Sequence, residues 1–361
     1  MKSSGSGKAL TVLVFLLVVF GLVMLSSAGV VEGQKKFGSP YYFFQHQLLF
    51  GILPGLLLFY AASRMNYRWW RKLALPVLIL AIGLTVLVFI PHFGLTIKGA
   101  QRWVNLELFT FQPAEFLKLA VIIYLAAWFG SRGTLAMHRP QALAPFLLVL
   151  AFVALLLILQ PDIKTLVLIA LIGVALYWFA GARLAHILAM TLVVGVIVGG
   201  LSFAPYRLNR IKAYLDPGAD KQGVSYHINQ ALIGVGSGGW FGVGFGQSKQ
   251  KISNLPEPMG DSIFAVIVEE LGLVGGAVVL MLFVLLILAL VNIARHSREP
   301  FGRLFTLGLA VWLLAQMFVN IGAILNLIPL TGVPLPFFSY GSSSLISLLA
   351  GLGIARNIAK H

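Results

Sequence analysis

The feature that most constrains this chain is a series of about ten hydrophobic runs, each near the length of a membrane-spanning helix. A helix needs roughly 20 apolar residues to cross a hydrocarbon core of about 30 Å. The runs lie near residues 9–29, 44–63, 74–91, 113–130, 141–159, 163–180, 184–203, 262–294, 303–327 and 338–357. They predict an all-α polytopic integral membrane protein of about ten transmembrane helices, whose over-long eighth helix is bent, tilted or partly outside the bilayer.

The composition points to the same lipid surroundings. Of 361 residues, 59% are hydrophobic and 10% are charged, whereas a soluble domain carries roughly 25% charged residues. There is no cysteine, and the seven histidines are scattered, so neither disulfides nor a zinc-type site is expected. The first run is longer than the core of a cleaved signal peptide, which favours a retained helix.

The distribution of lysine and arginine predicts the orientation, because cytoplasmic segments of membrane proteins are enriched in both. With the N-terminus inside, the inner segments collect most basic residues, and Glu299 is the only carboxylate among them. Both termini are therefore predicted to be cytoplasmic, and chemistry is expected on the outer side. The same bias explains much of the net charge of +15, so no nucleic-acid partner is expected.

One long break in the hydrophobic runs lies at residues 204–260. We predict a single membrane domain over residues 1–361, with this break as one large extracytoplasmic loop between helices 7 and 8. Within it, "SYHINQALIGVGSGGWFGVGFGQSKQ" has the spacing of a short surface helix followed by a glycine-dense segment. Glycine permits close approach of backbone to a ligand, and a merely flexible loop is the alternative.

Carboxylates lie where this loop meets the eighth run, in "LPEPMGDSIFAVIVEELG". Asp261 precedes the helix and is a candidate catalytic residue, with helix capping as the alternative role. Glu269 and Glu270 lie deeper, where a carboxylate must face a hydrated cavity, pair with a cation or be protonated. For these two we expect an ion pair that fixes helix packing rather than catalysis.

A second polar stretch is "KGAQRWVNLELFTFQPAEFLKLA". It places Arg102 and Trp103 in an outer loop, and then Glu115 and Lys118 on one face of a helix that Pro113 opens. Arginine and lysine can hold a phosphate or pyrophosphate. The alternative is that Glu115 and Lys118 neutralise each other.

Two further segments join hydrophobic runs. Asp162 lies in "LQPDIKT", where capping a turn is the alternative to a site role. The segment "LIPLTGVPLPFFSYGSSSL" holds Ser339 and Tyr340 in a cluster expected to cap the last helix. Non-helical backbone within a membrane is tolerated only against protein or water, so this segment is expected to line a cavity.

Taken together and in order, these segments resemble the motifs of the FtsW/RodA (SEDS) family of shape, elongation, division and sporulation proteins, over nearly the whole chain. "GLVMLSSAG" and "IPHFGLTIKGAQRW" are more similar to FtsW, the division member, than to RodA. The chain departs from the family where Met259 and Gly260 replace a His-Thr pair and Ser262 replaces phenylalanine. It also has "PAE" for "PSE" and "SYGSSS" for "SYGGSS".

The resemblance implies a peptidoglycan glycosyltransferase that polymerises lipid II into glycan strands at the outer face of the bacterial cytoplasmic (inner) membrane, for cell division or elongation. It implies that Asp261 is the essential carboxylate, acting as a general base, as a ligand of a divalent cation (Mg or Mn), or as an orienter of the acceptor. The implied partners are a class B penicillin-binding protein transpeptidase and other divisome or elongasome proteins.

Asp261 is thus the predicted catalytic residue. The substrate-binding candidates are Arg102, Lys118, Arg207, Arg210, Lys212, Ser339 and Tyr340. The supporting candidates are Trp103, Glu115, Asp162, Gln230, Glu257, Glu269 and Glu270. The alternative function is a lipid II flippase, but the inner halves of the helices are almost purely apolar, and a flippase needs polar groups along its whole path.

Overall fold

The computed structural model describes residues 3–97, 99–107, 109–132, 140–202, 205–216, 223–253 and 255–361. Its first part comprises α1 (Ser3–Ala28), α2 (Val30–Phe37), α3 (Tyr42–Gln47), a π-helical turn (Leu48–Ile52), α4 (Leu53–Arg64), α5 (Tyr67–Lys72), α6 (Ala74–Val86), a 3-10 turn (Leu87–Phe89) and strands β1 (Gly94–Ile97), β2 (Ala100–Asn105) and β3 (Thr110–Phe111). The remainder comprises α7 (Pro113–Gly130), α8 (Pro140–Leu159), α9 (Ile163–Phe179), α10 (Leu184–Ser202), α11 (Pro205–Leu215), α12 (Val224–Ser237), α13 (Gln250–Ser253), α14 (Ile263–His296), α15 (Pro300–Ile324) and α16 (Ser342–Ile358).

The surface of the bundle is suited to lipid. Among the described residues, five helical segments are long and apolar enough to cross a membrane, and shorter apolar helices lie at four more of the predicted runs. Large side chains such as Leu57, Leu148 and Leu192 are 68%, 70% and 70% exposed. The chain is therefore an all-α polytopic membrane protein, as predicted, while the number of crossings and the inward orientation of both termini stay predictions.

Helix α14 spans 34 residues and is broken at Gly272, where φ is 73° and ψ is −174°. Loop residues 239–244 run beside the break and satisfy the backbone groups that it frees, as a segment at membrane depth requires. The four bonds run from Val243 N to Glu269 O (2.9 Å), Gly244 N to Glu270 O (3.1 Å), Leu273 N to Gly239 O (2.9 Å) and Val274 N to Trp240 O (3.1 Å). The predicted bend of the eighth helix is confirmed.

A small antiparallel sheet, in the order β1-β2-β3, lies between α6 and α7 and was not predicted. Gly94 pairs with Val104 at one end of the first hairpin. A Cβ on Gly94 would lie 2.0 Å from the carbonyl oxygen of Val88, so only glycine lets β1 start this close to the preceding turn. The sheet carries Arg102 and Trp103 on β2.

The described part of the segment predicted as a large loop, residues 204–260, is largely helical. It contains α11, α12 and α13, and the helix predicted from "SYHINQ" is α12. One face of α12 buries His227, Ile228 and Ala231, and the helix packs on α14. The segment is therefore a folded cover over the start of α14.

Candidate active site at the start of helix α14

Asp261 lies in the turn before α14, and the structure excludes the capping role considered for it. Helix α14 begins at Ile263, its N-cap position is Ser262, and no side chain caps it. Oδ1 of Asp261 is buried and has no hydrogen-bond partner among the described residues. One carboxylate oxygen is therefore not used by the fold, which is what a base or a ligand requires.

The backbone around Asp261 is held from two sides. The Nδ2 group of Asn320, on α15, donates hydrogen bonds to the carbonyl oxygens of Asp261 (2.8 Å) and Val333 (2.7 Å). The hydroxyl of Ser339 donates to the carbonyl oxygen one residue before Asp261, at 2.6 Å, and the amide of Tyr340 donates two residues before it, at 2.8 Å. These contacts fix where the carboxylate lies.

Ser339 and Tyr340 belong to the cluster predicted to cap the last helix, but neither side chain caps it. The N-cap position of α16 is Gly341, and no side chain caps the helix. Ser339 and Tyr340 instead support the turn that carries Asp261. The hydroxyl of Tyr340 also lies 3.0 Å from Nδ1 of His46.

Charged neighbours act on the Asp261 carboxylate in opposite directions. Burial raises the pKa of Asp261; the charge of His227 opposes this, Glu257 reinforces it, and Lys164 opposes it. The ring Nε2 of His227 lies 2.5 Å from the hydroxyl of Ser262, which places the ring one residue from Asp261. The carboxyl is thus tuned to hold or take a proton at a higher pH than an exposed aspartate does.

Lys164 reaches the site through the backbone of Gly332. Its ammonium donates a 2.7 Å hydrogen bond to the Gly332 carbonyl oxygen. Gly332 has a φ of +70°, and a Cβ there would lie 3.5 Å from Oδ2 of Asp261. A cation and the candidate base therefore lie on two sides of one glycine.

Arg102 is tied to the turn that precedes α9. Its guanidinium donates to the carbonyl oxygens of Gln160, at 3.2 Å, and Pro161. Asp162 follows in the same turn and caps α9, because its carboxylate accepts from the backbone amide and hydroxyl of Thr165 at 3.5 and 2.8 Å. The capping interpretation of Asp162 is confirmed, and the phosphate role of Arg102 stays a prediction.

Glu115 and Lys118 neutralise each other, as the alternative interpretation held. Their side chains are 7% and 1% exposed and lie 2.8 Å apart. The Lys118 ammonium also donates to Oε1 of Gln316, at 3.3 Å, and lies 4.9 Å from the ring centroid of Trp312. The pair therefore joins α7 to α15, and a phosphate role for Lys118 stays a prediction.

Of the two glutamates expected to form a packing ion pair, Glu270 forms one, whereas Glu269 accepts hydrogen bonds from the loop in the part of the chain that the structure describes. Glu270 forms an ion pair with Lys251 at 2.5 Å and accepts from the hydroxyl of Ser27 at 2.7 Å. Glu269 accepts from the hydroxyl of Ser248 at 2.5 Å and from the backbone amide that follows it at 2.8 Å. The two carboxylates bind loop residues 248–251 next to the break in α14.

The remaining candidates are placed as follows. Arg210 donates to the carbonyl oxygen of Leu330, at 2.9 Å, and so reaches the segment that leads to Gly332. Lys212 is exposed, and Gln230 is half-buried on α12. The side chain of Arg207 lies outside the described part of the structure.

A cavity of about 290 Å³ lies beside the turn that carries Tyr340. It is lined mainly by aromatic and aliphatic groups, with a few polar ones: His46, Phe50, Leu84, Leu106, Phe109, Thr110, Phe111, Phe116, Ser342, Ser343 and Ile346. Ser342 and Ser343 lie in the first turn of α16, after the non-helical part of their segment, so the prediction that the non-helical backbone lines a cavity stays a prediction. The lining suits an apolar chain.

The geometry permits a divalent cation at Asp261 without a dedicated cage. No group of three His, Asp or Glu side chains in the described residues is arranged to hold a metal ion. Magnesium is often held by one or two carboxylates with water and substrate phosphates, however, and the unpartnered Oδ1 of Asp261 fits that mode.

Sequence reasoning missed His227, Asn320 and Lys164 as members of the site. His227 and Lys164 both lie inside segments that were singled out, "SYHINQ" and "LQPDIKT". A polar side chain within such a segment was the available signal. Asn320 lies in an apolar run, where an amide must find partners, and this was the signal for it.

Comparison with known proteins places this arrangement in a family. The profile of the cell cycle protein family FtsW/RodA/SpoVE matches residues 8–361. The chain is 35% identical over 361 residues to stage V sporulation protein E of Bacillus subtilis, covering 100% of this chain and 98% of that protein. It is 38% identical over 344 residues to the probable peptidoglycan glycosyltransferase FtsW of Geobacter sulfurreducens, covering 95% and 92%.

Solved structures agree. A chain of a peptidoglycan synthase complex, studied for its coordination of polymerization and crosslinking, matches with a TM-score of 0.81 at 29% identity, covering 97% of this chain and 96% of that one. The rod shape determining protein RodA of Thermus thermophilus matches with a TM-score of 0.71 at 28% identity, covering 97% and 95%. The chain is a polytopic membrane protein with a carboxylate site at the start of a broken helix. It belongs to the FtsW/RodA/SpoVE family.

Proposed function

We propose that this chain is a peptidoglycan glycosyltransferase that polymerises lipid II at the outer face of the bacterial cytoplasmic membrane, with Asp261 as the general base. The observation that carries the proposal is that Oδ1 of Asp261, just before α14, is buried and has no hydrogen-bond partner in the described part of the chain. The names of the FtsW relatives support the reaction type. The likeness to FtsW relatives supports a role in cell division.

The reaction joins an acceptor sugar hydroxyl to the anomeric carbon of a donor sugar. The carboxylate of Asp261 takes the proton of the hydroxyl as the new C–O bond forms. The bond to the pyrophosphate breaks, and the pyrophosphate leaves with the electron pair. A positioned base contributes typically 10²–10⁴-fold, and the leaving group needs only neutralising cations rather than a general acid.

Cations for the pyrophosphate are available near Asp261. Lys164 reaches the adjacent Gly332, and Arg210 reaches the segment leading to it. Arg102 remains a candidate from β2. The aromatic-lined cavity beside Tyr340 suits the prenyl chain of a lipid-linked sugar. In the alternative role, Asp261 would be a ligand of a divalent cation instead of the base, and that cation would neutralise the pyrophosphate.

The flippase alternative is not favoured. A proton-coupled carrier needs carboxylates that are free to titrate along the transport path. Glu115 and Glu270 are instead each held in a buried ion pair, with Lys118 and Lys251 respectively. These charges have a packing role, and Asp261 is left as the reactive group.

The proposed partner is a class B penicillin-binding protein, because glycan strands become a wall only after peptide crosslinking. The related synthase complex, which coordinates polymerization and crosslinking, supports this. The folded cover formed by α11 to α13 is the proposed contact for the transpeptidase's outer part, with α14 and α15 against its membrane span. Small residues on α14 would let a partner helix approach closely. Of these, Gly275 and Gly276 are buried within the chain, and the neighbouring Ala277 is exposed.

The test is incubation of the purified, reconstituted protein with lipid II, with and without a divalent cation and the cognate transpeptidase. Glycan polymer detected on a gel supports the proposal. Movement of lipid II between leaflets without any polymer would instead identify a flippase.

A further inference from the structure

Three basic side chains meet where the end of α4 lies against the end of α16. Ser63 is fully buried there. The ammonium of Lys360 donates to its carbonyl oxygen, at 3.2 Å, and the guanidinium of Arg356 donates to its hydroxyl, at 3.3 Å. Arg64 follows directly, with its guanidinium 4.9 Å from the ring centroid of Tyr60. We call Arg64, Arg356 and Lys360 the Ser63 cluster.

The Ser63 cluster has no counter-ion among the residues that the structure describes. In the part of the chain that the structure describes, no carboxylate lies within ion-pair distance of its three cations. Glu299, the only acidic side chain on the side predicted to be cytoplasmic, is paired with Arg68 at 2.8 Å and Arg71 at 3.5 Å. Partial desolvation of Lys360, and then the positive charges of Arg356 and Arg64, lower the pKa of its ammonium.

Capping of a helix end does not account for three cations. One cation near the carbonyl end of α4 is stabilised by the helix dipole. The carbonyl oxygen of Ser63 already accepts from Nδ2 of Asn357 at 3.0 Å, however. A guanidinium carries five N–H donors, and Arg356 uses one of them on Ser63. The cluster therefore has positive charge that no anion in the described residues balances, and N–H donors beyond those that bind Ser63.

The surroundings of the cluster identify the kind of anion. Leu57 and Tyr60, on α4, are 68% and 54% exposed, so an apolar surface leads directly to the cations. Tyrosine at such a position is typical of the boundary between hydrocarbon and head groups. Basic pockets between helices on the cytoplasmic side are known to hold lipid phosphates.

We propose that the Ser63 cluster binds the phosphate of an anionic phospholipid in the cytoplasmic leaflet, whose acyl chains lie along α4. The phosphate supplies acceptors for the N–H groups of Arg356 and Lys360 that Ser63 does not engage, and its negative charge relieves the mutual repulsion of the three cations. Anchoring the ends of α4 and α16 to a lipid would couple the bundle to the composition of the membrane.

The test is native mass spectrometry of the full-length protein titrated with phosphatidylglycerol or phosphatidylcholine. The triple variant R64Q/R356Q/K360Q removes the cluster. The matched control, K72Q/R132Q/R183Q, removes three cations on the same predicted side, and two of those stack on tryptophan rings, Lys72 at 5.2 Å and Arg132 at 4.1 Å.

Wild type and control should prefer phosphatidylglycerol, and the triple variant should bind it roughly a hundredfold more weakly. Lys360 is exposed, so the single variant Lys360→Gln should leave the ends of the helices folded. It should weaken binding of phosphatidylglycerol about fivefold. Equal binding by wild type and both cluster variants would overturn the proposal. Full displacement of phosphatidylglycerol by an equal concentration of inorganic phosphate would also overturn it, because the site would then recognise phosphate rather than a lipid.

Discussion

The ammonium of Lys164 and the carbonyl oxygen of Gly332 are joined by a 2.7 Å hydrogen bond. Gly332 adopts a φ of +70° next to Asp261, so the bond keeps a cation near the candidate base. The charges of His227, Glu257 and Lys164 act on the Asp261 carboxylate and shift its pKa. The pH dependence of the reaction is therefore the most informative property of the site.

Activity should fall as the pH is lowered through the raised pKa of Asp261, because only the ionised carboxylate can accept a proton. Glu257→Gln removes a charge that raises this pKa, so the acidic limb should move to lower pH. His227→Gln removes a charge that lowers it, so the limb should move to higher pH. Rates of lipid II polymerisation by the wild type and the two variants, measured over a pH series from acidic to mildly alkaline buffer, give both shifts. If the acidic limb moved in the same direction in Glu257→Gln and His227→Gln, Asp261 would not be the titrating base.

The pair formed by Glu115 and Lys118 gives a test of packing. Lys118→Met leaves a buried carboxylate without its cation and should destabilise the protein by about 3–5 kcal/mol. Adding Glu115→Gln should restore most of that loss, because the isolated charge is gone. Thermal unfolding in detergent measures stability, and polymerisation is measured in parallel. If stability returns in the double variant and activity does not, Lys118 has the predicted phosphate role in addition.

The break in α14 gives a second test of stability. Gly272→Ala should destabilise the protein by more than about 2 kcal/mol, because a Cβ would lie 2.3 Å from the carbonyl oxygen of Trp240. The control is Gly83→Ala in α6, where an added Cβ meets nothing within 4 Å. That change should be neutral or stabilising, since alanine is the better helix former. Equal effects of the two changes would show that the break is not fixed by the loop.

The proposed transpeptidase partner should raise the rate of glycan polymerisation. The folded cover of α11 to α13 leads directly into the turn of Asp261, so a transpeptidase bound there would order the site. Polymerisation is compared with and without the cognate transpeptidase, in a form whose crosslinking site is inactivated. Equal rates would contradict activation, and failure of the two proteins to co-purify would contradict the complex.

The sequence predicted the parts of the structure that depend on long patterns. Hydrophobic runs located the long helices, and the length of the eighth run indicated its bend, because 34 residues exceed one crossing. The sheet was missed because strands of four, six and two residues are too short to show alternation.

The site was predicted only in part, for a related reason. Asp261 was identified because a carboxylate at the mouth of an apolar helix is costly. Its neighbours Asn320, His227 and Gly332 come from distant elements, and a single sequence does not show which distant residues meet. For the same reason, the sequence alone did not decide whether Asp261 caps α14, which the structure excludes.

The central claim is that Asp261 is the base for lipid II polymerisation, and Asp261→Asn tests it most directly. Asparagine keeps the shape but cannot accept the proton. The pKa of Asp261 is raised in the folded protein, so ionising this carboxyl lowers the stability of the fold as the pH rises through the folded-state pKa. Asparagine carries no charge, so the variant should be at least as stable as the wild type at neutral pH.

The measurement is glycan synthesis from lipid II by the purified variant and wild type, each with an inactivated transpeptidase partner and matched thermal unfolding curves. The account predicts a loss of at least about a hundredfold in rate with no loss of stability. A well-folded variant that keeps near-normal polymerisation would contradict it.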